Sequence, residues 1–230
     1  MSSETPGENS GFQPDPGPPL ALSFYERDVV IIAQELIGCV LRRRKEDGIV
    51  LAGRIVETEA YRHDDPASHA FTGRSKRNAS MFGPAGHAYV YLIYGMYDCF
   101  NVVCGPPGSA DAVLIRAIQP TEGISVMWWN RFESDRPVDT ERALTDLTSG
   151  PGKLCRALRI NRSGVDGSSL ESGPVTIHAA PSPPGKILAT RRIGVSKATE
   201  NEWRFLELEN AFVSRRATQD AIGPKLRESQ

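Results

Sequence analysis

The sequence predicts a single α+β domain: a curved, mainly antiparallel sheet flanked by helices, with a protruding β-hairpin. Three observations carry this reading. Apolar runs of strand length are closed by Gly, Pro, Asn or Asp at hairpin spacing. A few segments instead repeat their apolar residues with the helical period. Strands and helices do not alternate regularly, which argues against a parallel α/β sheet.

In chain order, residues 1–20 (MSSETPGENSGFQPDPGPPL) are rich in Pro, Gly, Ser and Glu and are expected to form a disordered leader. SFYERDVVIIAQELIG follows, with Val29, Ile32, Leu36 and Ile37 at helical spacing and Gly38 as the stop. CVLRRRK and IVLAGRIVETEAY read as two strands joined at Glu46-Asp47-Gly48. AYVYLIY and DCFNVV make a second hairpin around Gly95. AVLIRAIQP is a further strand, closed by Pro120. Two helices are expected next, over Thr121–Arg131 and over SGPGKLCRALRI, where Pro151 suits a first helical position. PVTIHAA, RRIGV and WRFLELE supply late strands. Residues 214–230 read as a flexible tail, so the folded domain is expected over 21–213.

The totals narrow the function classes. With 40% apolar and 24% charged residues and no long apolar run, the chain has the composition of a soluble globular protein and no membrane span is expected. No hydrophobic segment of the secretory type opens the chain, and Cys39, Cys99, Cys104 and Cys155 form no CxxC pair. An intracellular protein with reduced cysteines is expected, in cytoplasm or nucleoid, or in a eukaryotic nucleus. A formal net charge of −1 offers nothing to nucleic acid globally, so such a partner must be met by local patches.

RIVETEAY is the first stretch with chemical content. On a strand, Glu57, Glu59 and Tyr61 share one face and Val56, Thr58 and Ala60 the other. Two carboxylates and a ring could simply be the wet side of a strand. The sequel weighs against that: a loop of about twenty-five residues, dense in His, Asp, Ser, Arg and Gly, and loops of this length are usually functional. His63, Asp64, Asp65 and His69 match no standard ligand spacing, so no metal is expected. His87 and His178 read as surface or satisfied histidines. Arg116 is the one charge in VLIRAI. It lies on a wet face or pairs with a buried acid such as Glu59 or Glu57.

Basic residues cluster at Arg42–Lys45, at Arg74, Lys76 and Arg77, and at helical spacing over Lys153, Arg156, Arg159 and Arg162. Each cluster alone reads as a solvated face. The last follows Gly150-Pro151-Gly152, a possible phosphate seat at a helix start. Together with tyrosines crowded around a turn, the clusters fit polyanion binding better.

The ordered set RIVETEAY, ASH, RN with MF following, AYVYLIYGMYDCFNVV, VLIRAIQP, SGPGKLCRAL and RIGV resembles the methylpurine (alkyladenine, 3-methyladenine) DNA glycosylase family, over about Leu22 to Leu208. The resemblance implies base-excision repair on double-stranded DNA containing damaged purines, without a cofactor. In its terms Glu59 activates the attacking water, Arg116 holds that water, and the Ile193 carbonyl is its third contact. Tyr61, His69 and Tyr91 sandwich the flipped base, and Asn101 on the pocket floor crowds out undamaged guanine. Tyr94 is the residue driven into the base stack, with Met96 beside it at the tip. Arg74, Arg77 and Lys153 are expected on the DNA backbone. A monomer that leaves the strand uncut is expected, with water rather than an amine as nucleophile.

Two other classes compete: a non-catalytic damaged-DNA binding module of the same fold, and a hydrolase of free nucleosides. An intact Glu59, Arg116 and Tyr61 argue against the first. A tyrosine at a hairpin tip and dispersed basic clusters argue against the second.

Overall fold

A computed structural model describes residues 17–135 and 140–215. The elements are α1 (Leu22–Tyr25), α2 (Val29–Glu35), β1 (Val40–Arg44), β2 (Val50–Tyr61), β3 (Ala88–Ile93), β4 (Tyr97–Cys104) and β5 (Asp111–Glu122). Then come α3 (Ile124–Phe132), α4 (Glu141–Thr148), α5 (Pro151–Ala157), α6 (Arg162–Val165), β6 (Val175–His178), β7 (Ile187–Thr190) and β8 (Arg204–Glu207). The strands form one curled antiparallel sheet in the order β3-β4-β5-β2-β1-β6, and β8 joins it against β2 and carries β7. The α+β class is as the sequence predicts. Among the described residues no helix is long and apolar enough to cross a membrane.

The strand β2 organises the molecule. Along one side it pairs with β5 for nearly its whole length. Along the other it pairs first with β1 at residues 50–54 and then with β8 at Glu57–Glu59. The change of neighbour coincides with a register shift between Ile55 and Glu57, a bulge that turns the strand. Residues 57–59 therefore have a strand on each side. The Thr58 hydroxyl donates to the Ala33 carbonyl at the end of α2, so this face is covered too. A half-wet strand is excluded here: Glu57, Thr58 and Glu59 are all fully buried.

Four expectations change. The first helix is interrupted at Glu26–Asp28, because the Asp28 carboxylate accepts from the Val30 and Ile31 N–H groups and starts a new helix. The strand expected to close at Pro120 runs on to Glu122. Beyond Leu114 its β4-facing edge is unpaired, and there a missing N–H is harmless. The helix after it starts at Ile124, not Thr121, and a further helix, α4, precedes α5. Finally, RRIGV is not a strand; the strand is the preceding Ile187–Thr190. The backbone of Ile193 is engaged by a carboxylate instead of a ladder, as described below.

At the ends, the Leu20 N–H donates to the Ile177 carbonyl, and Ser214 and Arg215 bond into the fold just past the expected boundary. Gly17 and Pro19, also expected in the leader, meet His178, and residues 1–16 and 216–230 lie outside the described residues.

Candidate active site

A cleft of about 470 Å³ opens where the end of β2, the β3–β4 hairpin, the long loop and the segment 193–197 meet. Tyr61, His69, Tyr91, Asn101, Arg116 and Ile193 all line it. With Tyr94, which also lines it, seven of the residues expected at the site are thus brought to one place from five separate stretches of sequence.

Glu59 lies immediately behind this wall, fully buried. Its Oε1 accepts the Ile193 N–H at 2.7 Å; its Oε2 accepts the Tyr61 hydroxyl at 2.8 Å and Arg116 Nη1 at 3.1 Å. The three groups that hold the carboxylate are themselves on the cleft wall. Burial, followed by the Glu59 charge, pushes the Tyr61 phenol well above its usual range, so the hydroxyl keeps its proton and remains a donor.

Arg116 reaches two acids with different edges of its guanidinium: Nε donates to Glu57 Oε1 at 3.0 Å while Nη1 goes to Glu59. Arg204, from β8, donates its Nε to the same Glu57 oxygen at 2.7 Å. Two carboxylates and two guanidiniums are interlocked in the interior. Their opposite charges offset a desolvation that none of the four could bear alone. Arg116 is thereby the partner of both candidate acids rather than a wet-face residue.

A second buried pair holds the segment that carries Ile193. Arg192 has no exposed side-chain surface and binds the Asp65 carboxylate and, at 3.0 Å, the Ala60 carbonyl. Its guanidinium stacks 4.7 Å from the Tyr61 ring and 5.2 Å from Trp203. The sequence signal for Arg204, in WRFL, is the one that singled out Arg116, a cation inside an apolar run; Arg192, beside Arg191, carries no such signal. Asp65, expected only as a weak ligand candidate, belongs to this pair. His63 sits against Asp111 at 2.9 Å, and His69 Nδ1 lies 3.0 Å from the Tyr89 hydroxyl.

The aromatic walls are braced. The His69 and Tyr91 rings meet edge to face at 4.5 Å, and the Tyr89 ring, also on the cleft wall, packs against both. Burial lowers the His69 pKa, and the Arg77 charge adds to that, so the ring is kept neutral. Burial raises the Tyr91 phenol. Asn101 donates its amide hydrogens to the Tyr89 and Cys99 carbonyls at 3.1 and 3.3 Å, which fixes the amide plane in the strand pair.

At the hairpin tip the chain turns in Tyr94-Gly95-Met96, closed by the Met96 N–H on the Ile93 carbonyl. Tyr94 adopts φ 53° and is 84% exposed, and Met96 is 67% exposed. A large side chain in the left-handed region costs about 1 kcal/mol, and here no packing against the fold returns it. Next to the tip, Tyr97, which pairs with Ile93, packs against Gly152 on α5, where a Cβ would stand 3.1 Å from the Tyr97 Cβ. Replacing Gly152 by Val is expected to lift the hairpin and weaken duplex binding while leaving the core intact, which melting and binding curves measured together would check.

Of the expected backbone contacts, Arg77 donates to the Leu92 carbonyl at 3.0 Å and ties the long loop to the hairpin. Arg74 is exposed on the same loop. Lys153 forms an ion pair with Asp146, which also receives Arg131.

Comparison with known proteins gives the family. A family model described as methylpurine-DNA glycosylase (MPG) matches residues 23–211. A protein of Methanoculleus marisnigri described as "Putative 3-methyladenine DNA glycosylase" is 45% identical over 201 residues, covering 86% of this chain and 99% of its own. Proteins of the same description from Carboxydothermus hydrogenoformans and Agrobacterium fabrum are 43% and 44% identical, covering 86% and 92% of this chain and 99% and 98% of theirs.

Proposed function

We propose that this chain, which belongs to the methylpurine-DNA glycosylase family, excises alkylated or deaminated purines from duplex DNA with a water activated by Glu59. The observation that carries the reading is the fully buried Glu59 carboxylate, gripped by Ile193, Tyr61 and Arg116 at the end of an aromatic cleft.

In this mechanism the damaged nucleotide leaves the stack and its base enters between Tyr61, His69 and Tyr91, with Asn101 below. Extraction costs a few kcal/mol, and a side chain entering the vacated gap offsets part of it. Tyr94, with Met96 beside it, is the residue placed to do so. Glu59 takes a proton from water, the water oxygen bonds to the sugar C1′, and the C1′–N9 bond breaks with its electron pair moving to the purine. A cationic base such as 3-methyladenine departs neutral without further protonation. Electron-rich rings around it add about 0.5–2 kcal/mol of attraction. The Ile193 carbonyl and Arg116 position the water. Arg74, Arg77 and Lys153 meet phosphates, Lys153 by exchanging Asp146 for one. The products are a free base and an intact strand with an abasic site, formed by a monomer.

The test is base release from duplexes carrying one 3-methyladenine-type, 7-methylguanine or hypoxanthine lesion, with strand integrity read on the same gel. Release with uncut strands supports the reading. Tight binding with no release from any lesion would replace it by a damaged-DNA binding module.

Tyr94→Gly separates wedge from fold. It relieves the left-handed strain, so the melting temperature is expected to hold or rise, by no more than about 1 kcal/mol of stability. Excision from duplex should meanwhile fall well below excision from single strands. Equal losses on both substrates would remove Tyr94 as the wedge.

A further inference from the structure

The C-terminal end of the described chain returns to the back of the catalytic group. Phe212 is buried in a small cluster with Val56 and Ala117, the sequence neighbours of Glu57 and Arg116. Val213 is buried with Leu188 and Leu206. Between these anchors and Arg215, Ser214 meets Glu57 twice: its N–H donates to Oε2 at 2.6 Å and its hydroxyl to Oε1 at 2.9 Å. The same hydroxyl oxygen lies 3.5 Å from Arg116 Nη2. Arg204, already on Glu57, also donates to the Arg215 carbonyl. These residues stand just beyond the segment 23–211 that the family model matches.

We propose that Phe212–Arg215 is a latch on the catalytic centre and that Ser214 is a positioning residue: it fixes Glu57, which fixes Arg116, which fixes Glu59. The proposal rests on the reading of Glu59 and Arg116 given above. The physical reason lies in the soft terminal torsion of a glutamate. Both guanidiniums pull on one oxygen of Glu57, Oε1. Bonds to a single oxygen leave the carboxylate plane free to turn about it. The Ser214 N–H, on Oε2, stops that rotation. Released, the plane turns, the Arg116 Nε bond bends, and Nη1 swings from Glu59.

The test compares four full-length or shortened proteins: Ser214→Ala, Ser214→Thr, a chain ending at Arg215 and a chain ending at Val213. Single-turnover base release, affinity for the lesion duplex and melting temperature are measured on each. Ending at Val213 rather than Arg215 is expected to slow release by about a hundredfold, because two hydrogen bonds to a buried charge are lost. Ser214→Ala, which keeps the N–H on Oε2 and loses only the hydroxyl on Oε1, should slow it by no more than about threefold, with Ser214→Thr restoring the rate. Duplex affinity should stay within about threefold throughout, since the latch touches no DNA-facing residue. Equal release from the two shortened chains overturns the proposal, and so does a rate loss matched by the same loss of affinity. An independent readout is the Arg116 Nε–H resonance, assigned by its absence in Arg116→Lys, which should shift in the chain ending at Val213, where the Ser214 N–H is gone, and hold in the chain ending at Arg215. An unmoved resonance overturns the latch. Should the wild-type protein release no base, the glycosylase reading fails, and this resonance still decides whether Ser214 orients Arg116.

Discussion

Glu59→Gln is expected to abolish excision while leaving binding of a lesion duplex almost unchanged. General-base catalysis contributes about 10²–10⁴-fold, so single-turnover release should fall by about 10³ or more. The substitution nearly keeps the volume and lets one oxygen still accept the Ile193 N–H, so the loss cannot be assigned to an unfilled cavity. It does place an amide NH₂ where Arg116 Nη1 and the Tyr61 hydroxyl both donate. It also leaves the buried network one negative charge short. A stability loss of about 1–3 kcal/mol should accompany the rate loss. Melting curves therefore belong beside the kinetics, at a temperature where the variant is folded. Comparable turnover in a folded Glu59→Gln protein would remove Glu59 as the base, and attention would pass to Glu57. That outcome is unfavourable on the geometry: Glu57 is held by Arg116, Arg204 and Ser214, of which only Arg116 lines the cleft, whereas all three groups on Glu59 do.

What the sequence disclosed follows from the range over which its signals act. Period-two runs and turn residues located the two hairpins, and the crowding of tyrosines around Gly95 marked the β3–β4 tip correctly as a turn with exposed rings. The common direction of Glu57 and Glu59 was also legible, since alternation is a property of one strand. What covers that face was not. The neighbours are β8 and Ser214, 147 and 157 positions from Glu57, and no local pattern reports which strand docks beside a bulge. Hence the wet-strand alternative could stand for RIVETEAY until the topology removed it. RRIGV misled for a related reason. Its branched residues suit a strand, but its arginine is drawn to Asp65 and its Ile193 N–H to Glu59, and these tertiary contacts override local propensity. The α4 helix escaped because its eight residues carry a short apolar period and its start is set by a threonine cap rather than a Gly or Pro signal.

Arg116→Met should produce the largest loss of stability. The guanidinium is the only described partner that touches both acids, so its removal strands Glu59 on the Tyr61 hydroxyl and the Ile193 N–H and leaves Glu57 to Arg204 and Ser214. Breaking a buried pair in this way costs about 3–5 kcal/mol, because the uncompensated charge cannot return to water. Arg116→Lys keeps the charge yet cannot replace the fork, since Nε and Nη1 serve acids on two different residues and one ammonium reaches only one of them. It should therefore retain more stability than Met but release base almost as slowly. The decisive variant is the double substitution Arg116→Met with Glu57→Gln. If the loss in Arg116→Met arises from stranded charge, neutralising Glu57 removes part of it, and the double variant is more stable than the sum of the two single losses allows. Strict additivity in denaturant melts would mean that Arg116 acts by packing alone. Excision should remain absent in the double variant even where stability returns, because the guanidinium that holds Glu59 is gone. Stability and activity are thus expected to part at this one guanidinium, which neutralises two acids in the fold and, in the proposed reaction, aims one of them.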